Sequence, residues 1–409
     1  MSDQAPVTRR SLMGVPMSDE AFRAEVREFL EASLTPEMRS APRTIMLLDV
    51  ELQQAWHKIL ARKGWVVPSW PIEHGGAGWT REQQAIFEEE LVRANAPAQS
   101  PNLQMIGPVL IAMGTDEQKA RHLPPLVSGD VVWCQGYSEP GAGSDLASLR
   151  TAAIRDGDDY VVNGQKIWTS YAHKSDWMFA LVRTSTEGKP QAGITFLLID
   201  MKTPGITVRP IHSIDGLHHL NEVFLNDVRV PVTNRVGAEN DGWTVGKYLL
   251  QHERNGVAGA AYLRMRLRHV RDLAAATPDD DGRRMIIDNP VFARRLADVE
   301  VGLLALECLI HRAESSPDPA LKNRMSSMLK LRGSEIEQAI SEVGRLALGD
   351  WARLDQSASL EERSLAVSGP AEGPEIMLSY MMGRSATIFG GSSEVQRGII
   401  FKQLRQYGV

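Results

Sequence analysis

Near the C-terminus the stretch "IFGGSSEVQRGI", Ile388 to Ile399, interrupts sequence that reads as helix on both sides. Gly390, Gly391, Ser392 and Ser393 offer backbone N–H groups and hydroxyls suited to an anion or a polar ligand. None of the four can abstract a proton, so any acid–base group must come from elsewhere. The segment "LLQHERNGVAGA" supplies a candidate. Leu249, Leu250, Val257 and Ala260 mark an apolar helical stripe, and Glu253 falls on it, four residues after Leu249 and four before Val257. A carboxylate there is costly unless it is paired or used. A buried ion pair and a general base fit that position equally, and Gly256 and Gly259 thin the same helix to leave room for a ligand.

Two further stretches carry ligand-facing chemistry. In "YSEPGAGSD", Tyr137 to Asp145, Gly141 and Gly143 let the backbone approach a ligand, while Ser138 and Ser144 can donate to carbonyl or ring acceptors. A plain turn is the competing reading. It is not a dinucleotide fingerprint, since it neither follows a strand nor opens a helix at the required spacing. In "NGQKIWTS", Asn163 to Ser170, an Asn-Gly hairpin signal precedes Trp168, Thr169 and Ser170. Trp168 is either a core tryptophan or a platform beside a flat heterocycle. His218 and His219 lack the carboxylate spacing of a metal site and read as a solvated loop pair.

These residues need elements to hold them, and the pattern changes twice along the 409-residue chain. Residues 1–17 read as a loose tail without the apolar core of a signal peptide. Residues 18–130 show helical spacings of three and four, as in "DEAFRAEVREFLEA". Residues 131–233 switch to a period of two, with "YVVNGQKIW", "DWMFALVRT" and "GITFLLIDM" reading as strands of an antiparallel barrel or sandwich. Residues 241–409 are helical again, with segments running from Gly242 to Ala276, Pro290 to Ser315, Pro319 to Leu348 and from Gly373 onward, which suggests a four-helix bundle. The fold class is therefore α+β, in α–β–α order. A net charge of −6 argues against nucleic acid or an anionic membrane as main partner. No apolar run approaches the roughly 18 residues needed to span a bilayer. Two cysteines, Cys134 and Cys308, sit in apolar sequence, read as packing residues and fit a reducing cytoplasm.

The order and separation of "YSEPGAGSD", "VVNGQKIWTS", "NEVFLNDVRVP", "LLQHERNGVAGA" and "IFGGSSEVQRGI" resemble the acyl-CoA dehydrogenase family over most of the chain. The resemblance implies an N-terminal helical domain, a middle β-barrel and a C-terminal four-helix bundle, with FAD between barrel and bundle. It implies that Gln135, Tyr137, Ser138, Gly143 and Ser144 hold the isoalloxazine edge, and that Trp168, Thr169 and Ser170 lie at the ring, with Ser170 addressing N5. Ser392 and Glu394 fall where the loop meets the phosphate and adenosine side, although a carboxylate near pyrophosphate is unfavourable unless it points at ribose. Many members carry a catalytic glutamate where this chain has Gly390. The family's second solution places it in an "ER" pair on a bundle helix, which Glu253-Arg254 matches. Glu253 would then take the α-proton and flavin N5 the β-hydride while the Gly390 N–H polarises the thioester carbonyl, giving a trans-2-enoyl-CoA. Ser144 and Arg254 would address substrate.

The family's adenine-side glycines are replaced by "ATPDDDGRRMIIDNP" and "LALGDWARLD", where Arg283 and Arg284 are the available substitutes. This pattern is most similar to the bacterial branch of pimeloyl-CoA and steroid-degrading dehydrogenases, some of which are α2β2 heterotetramers. Electron-transferring flavoprotein is the family's usual acceptor, and a homo-oligomer the usual assembly. The alternatives are a scaffolding or site-sharing subunit, and an acyl-CoA oxidase.

Overall fold

The computed structural model describes residues 18–40, 49–256, 259–279, 281–362 and 364–405. The tail expected at 1–17 lies outside them. The first region consists of α1 (Asp19–Ser33), α2 (Pro36–Ser40), α3 (Val50–Lys63), α4 (Arg81–Arg93), α5 (Pro101–Met113) and α6 (Asp116–Ser128). Local chemistry sets their ends. Thr80 with Gln83, and Thr115 with Gln118, form reciprocal capping boxes at the starts of α4 and α6. Gly64, at φ 75°, closes α3 in a left-handed conformation that suits glycine.

One sheet follows: β1 (Trp133–Gly136), β2 (Ala152–Asp156), β3 (Asp159–Lys166), β4 (Trp177–Arg183), β5 (Ile194–Asp200), β6 (Ile206–His212), β7 (His218–Pro231) and β8 (Arg235–Val236). The strand order is β6-β7-β3-β2-β4-β5-β8, with β1 beside β4. Most pairings are antiparallel as expected, but β1 and β2 each pair with β4 in parallel. β4 is buried on both faces. Phe179 and Leu181 join a core shared with the helices of the first region, while Met178, Ala180 and Val182 join a second core with Tyr160, Val162 and Val223. This is why "WMFALVR" reads as a continuous apolar run rather than an alternating one.

The Asn163-Gly164 pair is not a hairpin turn. It lies inside β3 at a register shift against β7, and a Cβ on Gly164 would stand 2.6 Å from the Thr151 Cα. Close backbone approach therefore explains this glycine better than turn chemistry. The actual β2–β3 turn uses Gly157, at φ 63°.

The last region holds α7 (Gly242–Gly256), α8 (Ala260–Ala276), α9 (Pro290–Ser315), α10 (Pro319–Ala347), α11 (Ala358–Glu361), α12 (Gly373–Gly383) and α13 (Ser393–Arg405). The continuous helix expected from Gly242 to Ala276 is two helices, α7 ending at Gly256 and α8 opening after Gly259. Glycine's backbone entropy cost makes it a natural break. Leu263, Leu267, Leu296, Leu303, Ile336 and Ile340 lead the core of this region. Val245 and Leu249 of α7 instead pack into the first core, which ties the two helical regions together. Cys134 is buried as expected, whereas Cys308 is exposed on α9. Among the described residues, no helix is long and apolar enough to cross a membrane.

Candidate active site

Ser138 follows β1 on a loop that folds back on itself, Glu139 N donating to Ala142 O (2.9 Å) and Ala142 N to Glu139 O (3.0 Å). Gly141 and Gly143 lie on its open side, where an added Cβ would meet nothing within 4 Å. Packing within the chain therefore does not require glycine there, and the space is free for a ligand. Ser144 is exposed and Ser138 half-buried.

Beneath this loop lies an ion pair that motif reading passed over. Lys166 is fully buried, and its Nζ donates to Glu139 Oε1 (2.7 Å), Leu181 O (2.7 Å) and Tyr137 O (3.2 Å). Glu139 also accepts from Thr151 N on Oε1 (2.9 Å) and from Arg150 N on Oε2 (2.6 Å). Burial pulls the Lys166 ammonium down to about 8, against the raising effect of Glu139. Burial opposes the Glu139 charge too, but Lys166 and the bonds to Thr151 and Arg150 hold its carboxyl below the usual range. The Tyr137 ring points into the first core, at right angles to Phe179 and Phe196, so its main-chain atoms are what the loop presents.

The loop is joined to the tryptophan segment by Ile167 N donating to Ser138 O at 2.9 Å. Trp168 is 56% exposed and held at φ 60°. That conformation costs a bulky residue about 1 to 3 kcal/mol, and such strain gathers at ligand sites. Main-chain bonds enforce it: Thr169 N donates to Asn221 O (3.0 Å), and Tyr171 N to His219 O (2.8 Å). Asn221 Nδ2 donates to Thr169 O (3.0 Å), which leaves its Oδ1 to accept from His173 Nδ1 (3.2 Å) and His218 Nε2 (2.8 Å). The His173 and His218 rings stack with centroids 4.0 Å apart. The histidine pair thus opens strand β7 and is not a solvated loop; His219 is buried against Asp215 and Ser213 because the β6–β7 hairpin packs on Met382 of α12. Thr169 Oγ1 is buried with no hydrogen-bond partner among the described residues, whereas Ser170 is exposed.

The glycine loop is held from α10. Lys330, fully buried, donates to Ala386 O (2.9 Å), and Gln338 Nε2 donates to Gly383 O (2.8 Å). Gly390 and Gly391 both have positive φ, 62° and 88°. Buried Gln396 Nε2 donates to both of their carbonyls, at 3.1 and 3.3 Å. A Cβ on Gly391 would stand 2.5 Å from that nitrogen, so the clasp needs glycine. With the carbonyls turned inward, the N–H groups of Gly390, Gly391 and Ser392 donate to no acceptor among the described residues. Ser392 Oγ accepts from Val395 N (3.4 Å) at the start of α13. Glu394 is exposed in its first turn, where hydrogen bonds to its own amide and to Ser392 lower its pKa.

Glu253 and Arg254 belong to the last turn of α7, one turn beyond buried Leu249; their side chains lie outside the described residues. α10 neighbours both α7, which carries Glu253, and α13, which follows the Gly390 loop. Arg284 is tied to Asp279 (3.3 Å), and Arg283 N also donates to Asp279, which curls this segment on itself. Gln135 sits in β1 opposite Phe179.

The open glycine side, the exposed strained Trp168 and the orphaned Thr169 hydroxyl fit a flat, polar-edged group of the flavin kind. Glu139, Lys166 and Asn221, which position this surface, and Lys330 and Gln396, which hold the glycine loop, were missed. The signal for Lys166 was available: the alternation that buries Tyr160 and Val162 in β3 buries Lys166 as well.

Residues 17–130, 134–228 and 240–405 match, respectively, the acyl-CoA dehydrogenase N-terminal, middle and C-terminal domains. The chain is 36% identical to acyl-CoA dehydrogenase IpdE1 of Mycobacterium tuberculosis over 403 residues, covering 94% of this chain and 97% of that protein. Its structure is similar to one in the ChsE4-ChsE5 complex of Mycobacterium tuberculosis, with TM-score 0.77 and 33% identity over 97% of this chain and 99% of that one. A chain of the Tcur3481-Tcur3483 steroid ACAD gives TM-score 0.79 and 30% identity, over 96% and 98%.

Proposed function

The chain belongs to the acyl-CoA dehydrogenase family, oxidoreductases acting on the CH–CH group of acyl-CoA, and on that premise we propose that it is an FAD-dependent enzyme that converts an acyl-CoA to its trans-2-enoyl-CoA with Glu253 as base. The observation that carries this reading is the Gly390–Ser392 turn, whose carbonyls are clasped by Gln396 while its N–H groups donate to no acceptor among the described residues. Such donors suit a carbonyl oxygen that gains charge as its α-proton leaves. Glu253, on the helix that shares α10 as a neighbour, takes that proton. Glycine at 390 keeps the N–H and removes the side chain, leaving space for the Glu253 carboxylate or a bulky acyl group.

Ser138 and Ser144 donate to the polar edge of the cofactor ring, and Trp168 lies against it with Thr169 and Ser170 nearby. FAD supplies the acceptor for the β-hydride. Ser392 serves the phosphate side, and Arg254 steadies Glu253 or the CoA. Electron-transferring flavoprotein is the expected acceptor and the cytoplasm the expected location. The likeness to a chain of a steroid ACAD favours a ring-bearing or branched acyl group.

A second reading, a site shared with a paralogous subunit, draws on exposed apolar residues of α9 and α13. Val301 and Leu304 on α9, with Phe401 and Leu404 on α13, stand largely open. The ChsE4-ChsE5 relative is itself described as a complex. Purification of the chain alone, with measurement of its flavin-to-chain ratio and of anaerobic bleaching by an acyl-CoA series, separates the readings. A yellow protein bleached by acyl-CoA supports the enzyme. A colourless protein that takes up FAD only with a partner supports site sharing. Bound FAD that no acyl-CoA bleaches contradicts the proposed reaction.

A further inference from the structure

We infer that Glu139 and Lys166 are a positioning pair that fixes Ser138 and Trp168 as one preformed edge for the cofactor, an inference that rests on the FAD reading above. The pair lies at a meeting of four segments. Lys166 ends β3, Leu181 belongs to β4, Tyr137 and Glu139 flank Ser138, and Arg150 and Thr151 lead into β2. From β3 one ammonium reaches two of the others, using its three donors on Tyr137 O and Glu139 Oε1 of the Ser138 loop and on Leu181 O of β4. Both oxygens of Glu139 are occupied as well, by Lys166, Thr151 N and Arg150 N.

Nothing in this set remains free to touch a substrate, so its action is through other residues. Ser138 is bracketed by it. The residue before gives its carbonyl to Lys166, the residue after gives its carboxylate, and Ser138's own carbonyl takes Ile167 N at 2.9 Å. Its side chain then projects from a fixed main chain. On the other arm, Trp168 stands two residues beyond Lys166 and is held in its strained conformation by Asn221 and His219. The main chain at Ser138 is thereby fixed by the pair, and the Trp168 arm is tied to it through Ile167 N and the two residues of chain that follow Lys166.

Stability alone is a poor reason for such a pair. Replacing a buried ion pair by apolar residues of similar size is often neutral or stabilising, whereas removing one partner strands a buried charge. What apolar side chains cannot do is hold two main-chain carbonyls on separate segments at a fixed separation. The pair is therefore separable, by experiment, into a fold-stabilising part and a site-positioning part.

The test compares Lys166→Met, Glu139→Gln and the double variant with the wild type for Tm, FAD affinity and flavin potential. Each single change should lower Tm. The double change should recover most of that Tm yet bind FAD at least about tenfold more weakly, because the Ser138 hydrogen bond to the cofactor loses its fixed geometry, with a shifted flavin potential. A folded double variant with wild-type FAD affinity and potential would overturn the inference. Hydrogen exchange in the wild type gives a readout that needs no variant. The Thr151 and Ile167 amides should be protected before FAD is added; protection that arises only with FAD would mean the edge is not preformed. If the wild type takes up no FAD at all, with or without a partner chain, the reading beneath this inference falls with it.

Discussion

On the sheet side of the proposed site, Ser138 and Trp168 rest on a buried ion pair and on strand amides; on its proposed bundle side, Gly390 and Gly391 rest on one neutral amide, Gln396. The sheet wall holds non-glycine residues in place with charge, at the cost of desolvating both partners. The bundle wall needs no charge at the clasp, but it requires two successive left-handed residues, which only glycine adopts without strain. The two walls should therefore break differently. Removing charge damages the first, and adding a methyl group damages the second.

The largest effect expected from this contrast is at Gly391. Gly391→Ala puts a Cβ into the Gln396 clasp at φ 88°. It should slow flavin reduction by acyl-CoA by about 10²-fold, the loss typical of a displaced oxyanion donor, while FAD affinity changes little. Stopped-flow reduction and FAD titration read the two quantities separately. An equal loss in both would mean the walls are not independent. Gln396→Met keeps the volume but frees both carbonyls, and a smaller loss, about tenfold, is expected for neutral hydrogen bonds; an unchanged reduction rate would remove Gln396 from the account.

The smallest effects belong to the sheet-side hydroxyls. Ser138→Ala and Ser144→Ala should each weaken FAD binding by about 1 kcal/mol, with the Ser138 change also shifting the flavin spectrum because its backbone is fixed. Titration of both variants with FAD checks this. If affinity and spectrum stay unchanged in both, this loop is not the ring's polar edge.

The difference between the walls also marks what the sequence could disclose. The α–β–α order, the strand runs and the glycine loop were legible because they depend on local periodicity and on glycine. The Asn163-Gly164 pair misled, since the same dipeptide serves a turn or a close strand approach, and only the position of Thr151 decides between them. The break between α7 and α8 lay in view as Gly256 and Gly259, yet the apolar stripe outweighed it in the reading. Lys166 was readable from alternation, but its partner was not, because Glu139 lies 27 residues away along the chain. Gln396 and Lys330 look like ordinary helix-surface residues in sequence, and their burial follows only from how α10, α12 and α13 pack.

The central claim is that Glu253 and the Gly390 position address one α-carbon from two elements. Its most direct measurement is the anaerobic flavin reduction rate of Glu253→Gln, alone and combined with Gly390→Glu, against short straight and bulky acyl-CoA substrates. The account predicts that Glu253→Gln keeps its FAD and loses about 10² to 10⁴ in rate. It also predicts that adding Gly390→Glu restores part of that rate on short straight chains and little on bulky ones. Near-normal reduction by Glu253→Gln on every substrate would contradict it.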